Sequence, residues 1–147
     1  MQIRNILVPV DFSPDSEHAT GVATDLAKSF GAKLLLLHAY HLPAQVAMPD
    51  QVMVPQEYWD GVRDAAQHKL EECRARAGAS GVEVEAELVA QAPSFAISET
   101  AKRVNADLIV MGTRGLTGLK HVLLGSTAER TVRLAPCPVM TVKADAE

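Results

Sequence analysis

The sequence predicts an α/β fold: a doubly wound sheet of five parallel strands with four covering helices. Three observations carry that expectation. Short apolar, β-branched runs alternate with stretches of helical periodicity along the chain, the pattern that builds a parallel sheet with right-handed crossovers. The runs IRNILVPV, KLLLLHAY and DLIVM are apolar without alternation, as strands buried on both faces are. At 147 residues the chain suits a single domain over 1–147, since two would leave each too small a core.

The first strand is expected over Ile3–Val10. Asp11-Phe12-Ser13-Pro14 then opens a helix: Ser13 suits the N-cap, and Pro14 has no amide proton to leave unsatisfied. Ala19, Val22, Ala23, Leu26, Ala27 and Phe30 recur at helical spacing as the buried stripe, and Gly31 ends the helix. Lys33–Tyr40 is the second strand. Residues 41–55 hold three prolines and no periodicity and read as a long loop, a length usually functional or mobile. A helix from Tyr58 to Ala77 follows, with Tyr58, Val62, Ala65, Ala66, Leu70 and Cys73 as apolar positions and Gly78 and Gly81 at its exit. Val82–Ala90 alternates strictly with Glu83, Glu85 and Glu87 on one face, which suits a sheet edge. Ser94–Asn105 forms the third helix, beginning near Pro93, with Phe95, Ile97, Ala101 and Val104 as its apolar members. Asp107–Met111 is a buried strand. A glycine-bearing turn, a short helix from about Thr127 to Leu134 and a last strand over Pro138–Val142 complete the chain.

Composition narrows the function. With 48% hydrophobic and 22% charged residues the chain is ordinary globular protein. Fourteen basic residues against 18 acidic ones give a net charge of −4, and no dense Lys/Arg run appears, so nucleic acid is not an expected partner. Cys73 and Cys137 show neither CxxC nor metal-ligand spacing and read as reduced thiols of a cytoplasmic protein. His41, His68 and His121 share no metal-site spacing either. No stretch approaches the run of ~18 apolar residues that a membrane span needs, and the amino-terminal apolar run lacks a cleavage site.

In open α/β sheets ligands settle beyond the carboxyl ends of the strands, where the strand order reverses. The candidate turns follow Val10 and Met111. The second runs from Gly112 through Arg114, Gly115, Gly118 and Lys120 to Gly125-Ser126. Glycines at 112 and 115 let the backbone approach a phosphate chain. Gly125-Ser126 opens a helix whose first amides, those of Ser126, Thr127 and Ala128, form a ready anion site. Neither the P-loop pattern GxxxxGK[ST] nor GxGxxG occurs, so there is no P-loop lysine and a dinucleotide fold is disfavoured.

Gly112-x2-Gly115-x9-Gly125-Ser126 matches the ATP-binding pattern G-x2-G-x9-G-[S/T] of the universal stress protein family. The chain resembles that family from about Ile3 to Lys143, through ILVPVDFS, KLLLLHAY, ADLIVMGTRG and LLGSTAERTVRLAPCPVMTV in the family's order. The resemblance implies a Rossmann-like, adenine nucleotide alpha hydrolase-like fold and a stress-response function. It implies ATP, or another adenine nucleotide, and Mg2+ as cofactors. Pro9, Val10 and Asp11 resemble the adenine and ribose side of the site, with Asp11 also near the magnesium ion, and Ala39 resembles an adenine contact. Met111 and Gly112 resemble ribose and phosphate contacts; Gly115, Gly125, Ser126 and Thr127 resemble the phosphate cradle. Members commonly dimerise by pairing their last strands, here Val139, Met140, Thr141 and Val142, and hydrolyse ATP slowly or not at all.

Each of these residues also has a structural reading. Asp11 could cap the first helix, but Ser13 fits that place better, which leaves a carboxylate at a strand's carboxyl end. Ser126-x-x-Glu129 is a capping box that would employ both side chains. Gly118 is loop geometry; Arg114 and Lys120 either screen phosphate charge or are simply solvated. His38, inside an apolar run, reads as a hydrogen-bonded core histidine, and Tyr58 and Trp59 as packing of the second helix. The leading expectation is an ATP-binding regulatory protein. A slow ATPase or phosphotransferase would need a base that the sequence does not offer, and a nucleotide-independent dimeric interaction module is the third reading.

Overall fold

A computed structural model describes residues 1–40, 54–114 and 124–144. Most of the expected 41–55 loop, together with His41, Gly115, Gly118, Lys120 and His121, lies outside the described residues. The elements run β1 (Asn5–Pro9), α1 (Pro14–Phe30), β2 (Lys33–Ala39), α2 (Gln56–Gly78), β3 (Val84–Val89), α3 (Pro93–Arg103), β4 (Leu108–Gly112), α4 (Ser126–Leu134) and β5 (Val139–Val142). The strands form one sheet in the order β3-β2-β1-β4-β5, every pair parallel. The predicted fold class stands, and β3 lies at an edge as its alternation required.

The unbroken apolar runs follow from a sheet covered on both faces. Along β1, Ile6 and Val8 enter one core with α1, while Leu7 enters the other with α3 and α4. β4 divides likewise, with Leu108 and Val110 on the α1 side and Ile109 and Met111 on the opposite side. Ile6, Leu7, Leu34, Leu36 and Ile109 are all at most 1% exposed, and each such side chain contributes about 1.5–3 kcal/mol by leaving water. Ser13 caps α1 as expected, its hydroxyl accepting from Ser16 N at 3.2 Å. Gly31 ends the helix at φ 66°, left-handed backbone that glycine adopts without steric cost.

Several apolar positions expected to be buried are exposed, and in α1 and α2 helix length is the reason. Phe30 is 53% exposed, although its spacing placed it in the buried stripe of α1. In α2, Tyr58 is 58% and Val62 36% exposed, and the helix is anchored instead through Leu70 and Ala77. A helix of 23 residues is about 34 Å long, whereas a six-residue strand such as β3 spans about 20 Å. The crossover helix therefore overhangs the sheet, and among the described residues its first turns are not buried. Phe95, in the first turn of α3, is likewise exposed.

Gly112, at the end of β4, is glycine for a packing reason. A Cβ there would stand 2.8 Å from Asp15 Cβ and 2.9 Å from the Asp15 carbonyl carbon in the first turn of α1. Gly112→Ala is expected to lower stability by about 1–3 kcal/mol, the range for overfilling a close contact. Urea unfolding reads this directly, and an unchanged midpoint would show that α1 can yield there without cost.

Candidate functional site at the carboxyl ends of β1 and β4

β1 and β4 are neighbours at the centre of the sheet, and the chain leaves them in opposite directions, toward β2 and toward β5. This is the switch point at which open α/β sheets bind ligands. The turn after β1 is held from several sides. Val10 N donates to Leu37 O at 2.8 Å, and His38 Nδ1 lies 2.7 Å from Val10 O. Phe12 takes a left-handed φ of 65°, and its ring lies 4.6 Å from that of His38. His38 is thus the hydrogen-bonded histidine that its apolar surroundings predicted. Pro9 and Ala39 are half-buried at the ends of β1 and β2, and Val10 is buried.

The Asp11 carboxylate is not left unengaged, as the assignment of the cap to Ser13 had suggested. Its Oδ1 accepts from Ser13 N at 3.0 Å and from the Ser13 hydroxyl. A short acidic side chain naturally closes such a local turn. Asp11 and Ser13 therefore form the helix entry together: Ser13 caps the helix, and Asp11 orients Ser13. Among the described residues no cluster of three or more His, Cys, Asp or Glu is placed to hold a metal.

Around the turn after β4 the structure adds a residue that sequence reasoning missed. Asp15, 4% exposed, accepts through Oδ2 from Thr113 Oγ1 at 3.0 Å and from Arg114 N and Nε, each at 3.2 Å. Through Oδ1 it accepts from Arg114 Nη2 at 3.4 Å and Ala144 N at 3.3 Å. Arg114, weighed in the sequence as a phosphate partner or a solvated charge, is here the ion-pair partner of Asp15. An acidic residue in the first turn of a helix reads only as complementing the helix dipole. Its partners stand 98, 99 and 129 positions away, so local pattern carries no sign of them. Met111 turns its side chain into the core, and Gly112 lies against Asp15.

The capping box, the structural alternative at Ser126, does not form. Gly125 is the N-cap of α4, no side chain among the described residues caps the helix, and Ser126 is its first residue. Glu129 pairs instead with Arg133 at 2.6 Å, one turn along. The register moved because Gly125 N donates to Thr113 O at 2.6 Å, which fixes Gly125 as the half-helical residue. The first intrahelical bond is Glu129 N to Gly125 O at 2.9 Å, so the amides of Ser126, Thr127 and Ala128 precede it. Ser126 is exposed and Thr127 half-buried. An uncapped helix end, with the positive end of its dipole, is thereby tied beside the exit of β4.

Burial opposes ionisation of Asp15 more than any other single influence. The hydrogen bonds from Arg114, Thr113 and Ala144, with the Arg114 charge, together outweigh it and hold the carboxyl below the usual carboxylate range. A folded-state value below the unfolded one, about 3.9, means that Asp15 contributes stability above that pH and loses it as pH falls through the folded value. Denaturant unfolding from about pH 6 to about pH 2 should show a loss of stability below about pH 4 that is shallower in Asp15→Asn. Equal slopes for the two proteins would mean that the carboxylate charge carries none of it.

The chain matches the family described as "Universal stress protein family" over residues 2–143. It is 34% identical over 144 residues to universal stress protein MJ0531 of Methanocaldococcus jannaschii, covering 95% of this chain and 82% of that one. It is 37% identical over 142 residues to a universal stress protein of Thermus aquaticus, covering 95% and 98%. Among solved structures it resembles hypothetical protein MJ0577 with a TM-score of 0.87 at 26% identity, each chain fully covered. A universal stress protein solved in complex with cAMP is similar at a TM-score of 0.72 and 28% identity, covering 99% of this chain and 100% of that one. No helix among the described residues is long and apolar enough to cross a membrane. With the family matched over residues 2–143, from the start of the first strand to beyond the last, this chain belongs to the universal stress protein family.

Proposed function

We propose that this protein binds ATP, or a close adenine nucleotide, across the carboxyl ends of β1 and β4, and acts as a cytoplasmic stress-response regulator and not as an efficient enzyme. The observation that carries this reading is the uncapped start of α4, anchored through Gly125 to Thr113 at the switch point. Amides at such an end favour phosphate over water because several donors and the helix dipole converge on one anion. The similar protein solved with cAMP supports an adenine nucleotide as the ligand class.

In this reading adenine and ribose lie against Pro9, Val10, Asp11 and Ala39. Met111 and Gly112 contact ribose and phosphate, and the triphosphate lies along Gly112, Gly115, Gly125, Ser126 and Thr127. Mg2+ needs only one or two carboxylates when phosphate oxygens and water complete its shell. Asp11, with Oδ1 engaged by Ser13, would offer Oδ2. The ion would neutralise phosphate charge, while the chain's own residues bind and orient. Without a P-loop lysine, turnover is expected far below the ~1–100 s⁻¹ of kinases.

Calorimetric titration of nucleotide-stripped protein with ATP and Mg2+ should give one site per chain with micromolar or tighter affinity. The informative variant is Ser126→Pro. Proline is favoured at the first helical position, and Gly125, at φ −68° and ψ 164°, already has backbone that a following proline accepts. It removes one amide donor and leaves the helix. ATP affinity should fall roughly tenfold or more with the circular dichroism unchanged; undiminished affinity would move the phosphates away from α4.

The proposal includes a homodimer through β5, an edge strand. Ile109 N donates to Pro138 O and Thr113 N to Val142 O, so by alternation Val139 and Thr141 direct their backbone groups away from β4. Met140, 38% exposed, adds apolar surface beside that edge. Thr141→Pro removes an outward donor and should shift sedimentation from dimer to monomer; a persistent dimer would place the interface elsewhere.

A further inference from the structure

We infer that Asp15 is a positioning residue that ties the entry of the glycine-rich turn to the chain leaving β5, so that nucleotide occupancy is felt beyond the binding site. The inference rests on the nucleotide reading above and adds to it a device that sets the affinity of that site.

Three segments meet at one carboxylate. Asp15 belongs to the first turn of α1, and it accepts from the side chain of Thr113, from the backbone and guanidinium of Arg114, and from Ala144 N. The backbone of Thr113 extends the connection both ways, with its N–H on Val142 O at 3.1 Å and its carbonyl accepting from Gly125 N at 2.6 Å. The Thr113–Arg114 stretch therefore cannot rotate without breaking bonds to Asp15, and Asp15 cannot follow it without releasing Ala144. Its backbone has no slack either, because Gly112 already stands in contact with it. A carboxylate serving only the helix dipole would face the amides of its own turn and remain in water; this one is buried and spent on partners about a hundred residues distant.

Two consequences follow for a phosphate ligand. Asp15 pre-orders the first two residues of the turn, so less conformational entropy is lost when the ligand arrives. It also holds the Arg114 guanidinium in a fixed fork, which prevents a mobile cation from collapsing into the phosphate position. Binding that tightens the turn is then transmitted to Ala144, and by linkage any event that orders the carboxyl end of β5 tightens binding.

The test compares wild type, Asp15→Asn and Thr113→Val by calorimetry with ATP and by the amide resonances of isotopically labelled protein. In wild type, saturating ATP should shift the Ala144 amide together with those of Thr113 and Arg114. In Asp15→Asn, affinity should fall about tenfold and the Ala144 amide should no longer respond. Wild-type affinity, or an undiminished Ala144 response in that variant, overturns the inference. Should Asp15→Asn fail to fold, Thr113→Val decides: a loss of affinity of roughly threefold or more supports the tie, and unchanged affinity overturns it. Absence of ATP binding in wild type would overturn the nucleotide reading and this inference with it, whereas intact binding in wild type and variants alike overturns the inference alone.

Discussion

Everything at the carboxyl edge of this sheet depends on how closely the start of α1 approaches the end of β4. The absent side chain at Gly112 permits that approach, since any Cβ would meet the backbone and Cβ of Asp15. Once there, a carboxylate is forced out of water, which is costly unless every lone pair finds a donor. Thr113, Arg114 and Ala144 supply those donors. Close packing and charge satisfaction are thus one arrangement. It holds the chain at the point where β4 turns toward the proposed nucleotide site.

The rest of the edge is built on the same logic of satisfied groups around a fixed backbone. After β1, Val10 is paired through its amide to β2 and through its carbonyl to His38, which allows Phe12 to hold a left-handed conformation. Such a conformation costs roughly 1–2 kcal/mol in a non-glycine residue and persists because the neighbouring contacts specify it. Phe12 packs on His38, and Asp11 and Ser13 close the entry into α1. Below both turns lie the two cores, which leave the strand ends little freedom.

Electrostatics separates the two halves of the site. On the α1 side, the Asp15 carboxylate is paired with Arg114 and its neighbours, and one oxygen of Asp11 accepts from Ser13. On the α4 side, the helix begins without a side-chain cap. An anion approaching the switch point therefore meets a paired carboxylate and a helix start that no side chain among the described residues caps. That asymmetry is how a chain of net charge −4 could hold the proposed phosphate site.

The sequence by itself determined the features that depend on near neighbours or on period. The strands at 5–9, 33–39 and 108–112 are legible because both faces are buried, so no polar residue interrupts them. Ser13 and Gly31 declare the ends of α1, and the alternating glutamates place β3 at an edge. Only the tertiary structure decided which groups pair across the fold. Phe30 and Tyr58 have core-like spacing, yet α1 and α2 overrun the sheet and leave them exposed. Ser126 and Glu129 have capping-box spacing, yet a bond from Gly125 to Thr113 shifts the helix start by one residue. Asp15 is the clearest case. Its meaning lies in partners on β4 and beyond β5, and a contact spanning a hundred residues leaves no trace in the local pattern at either end.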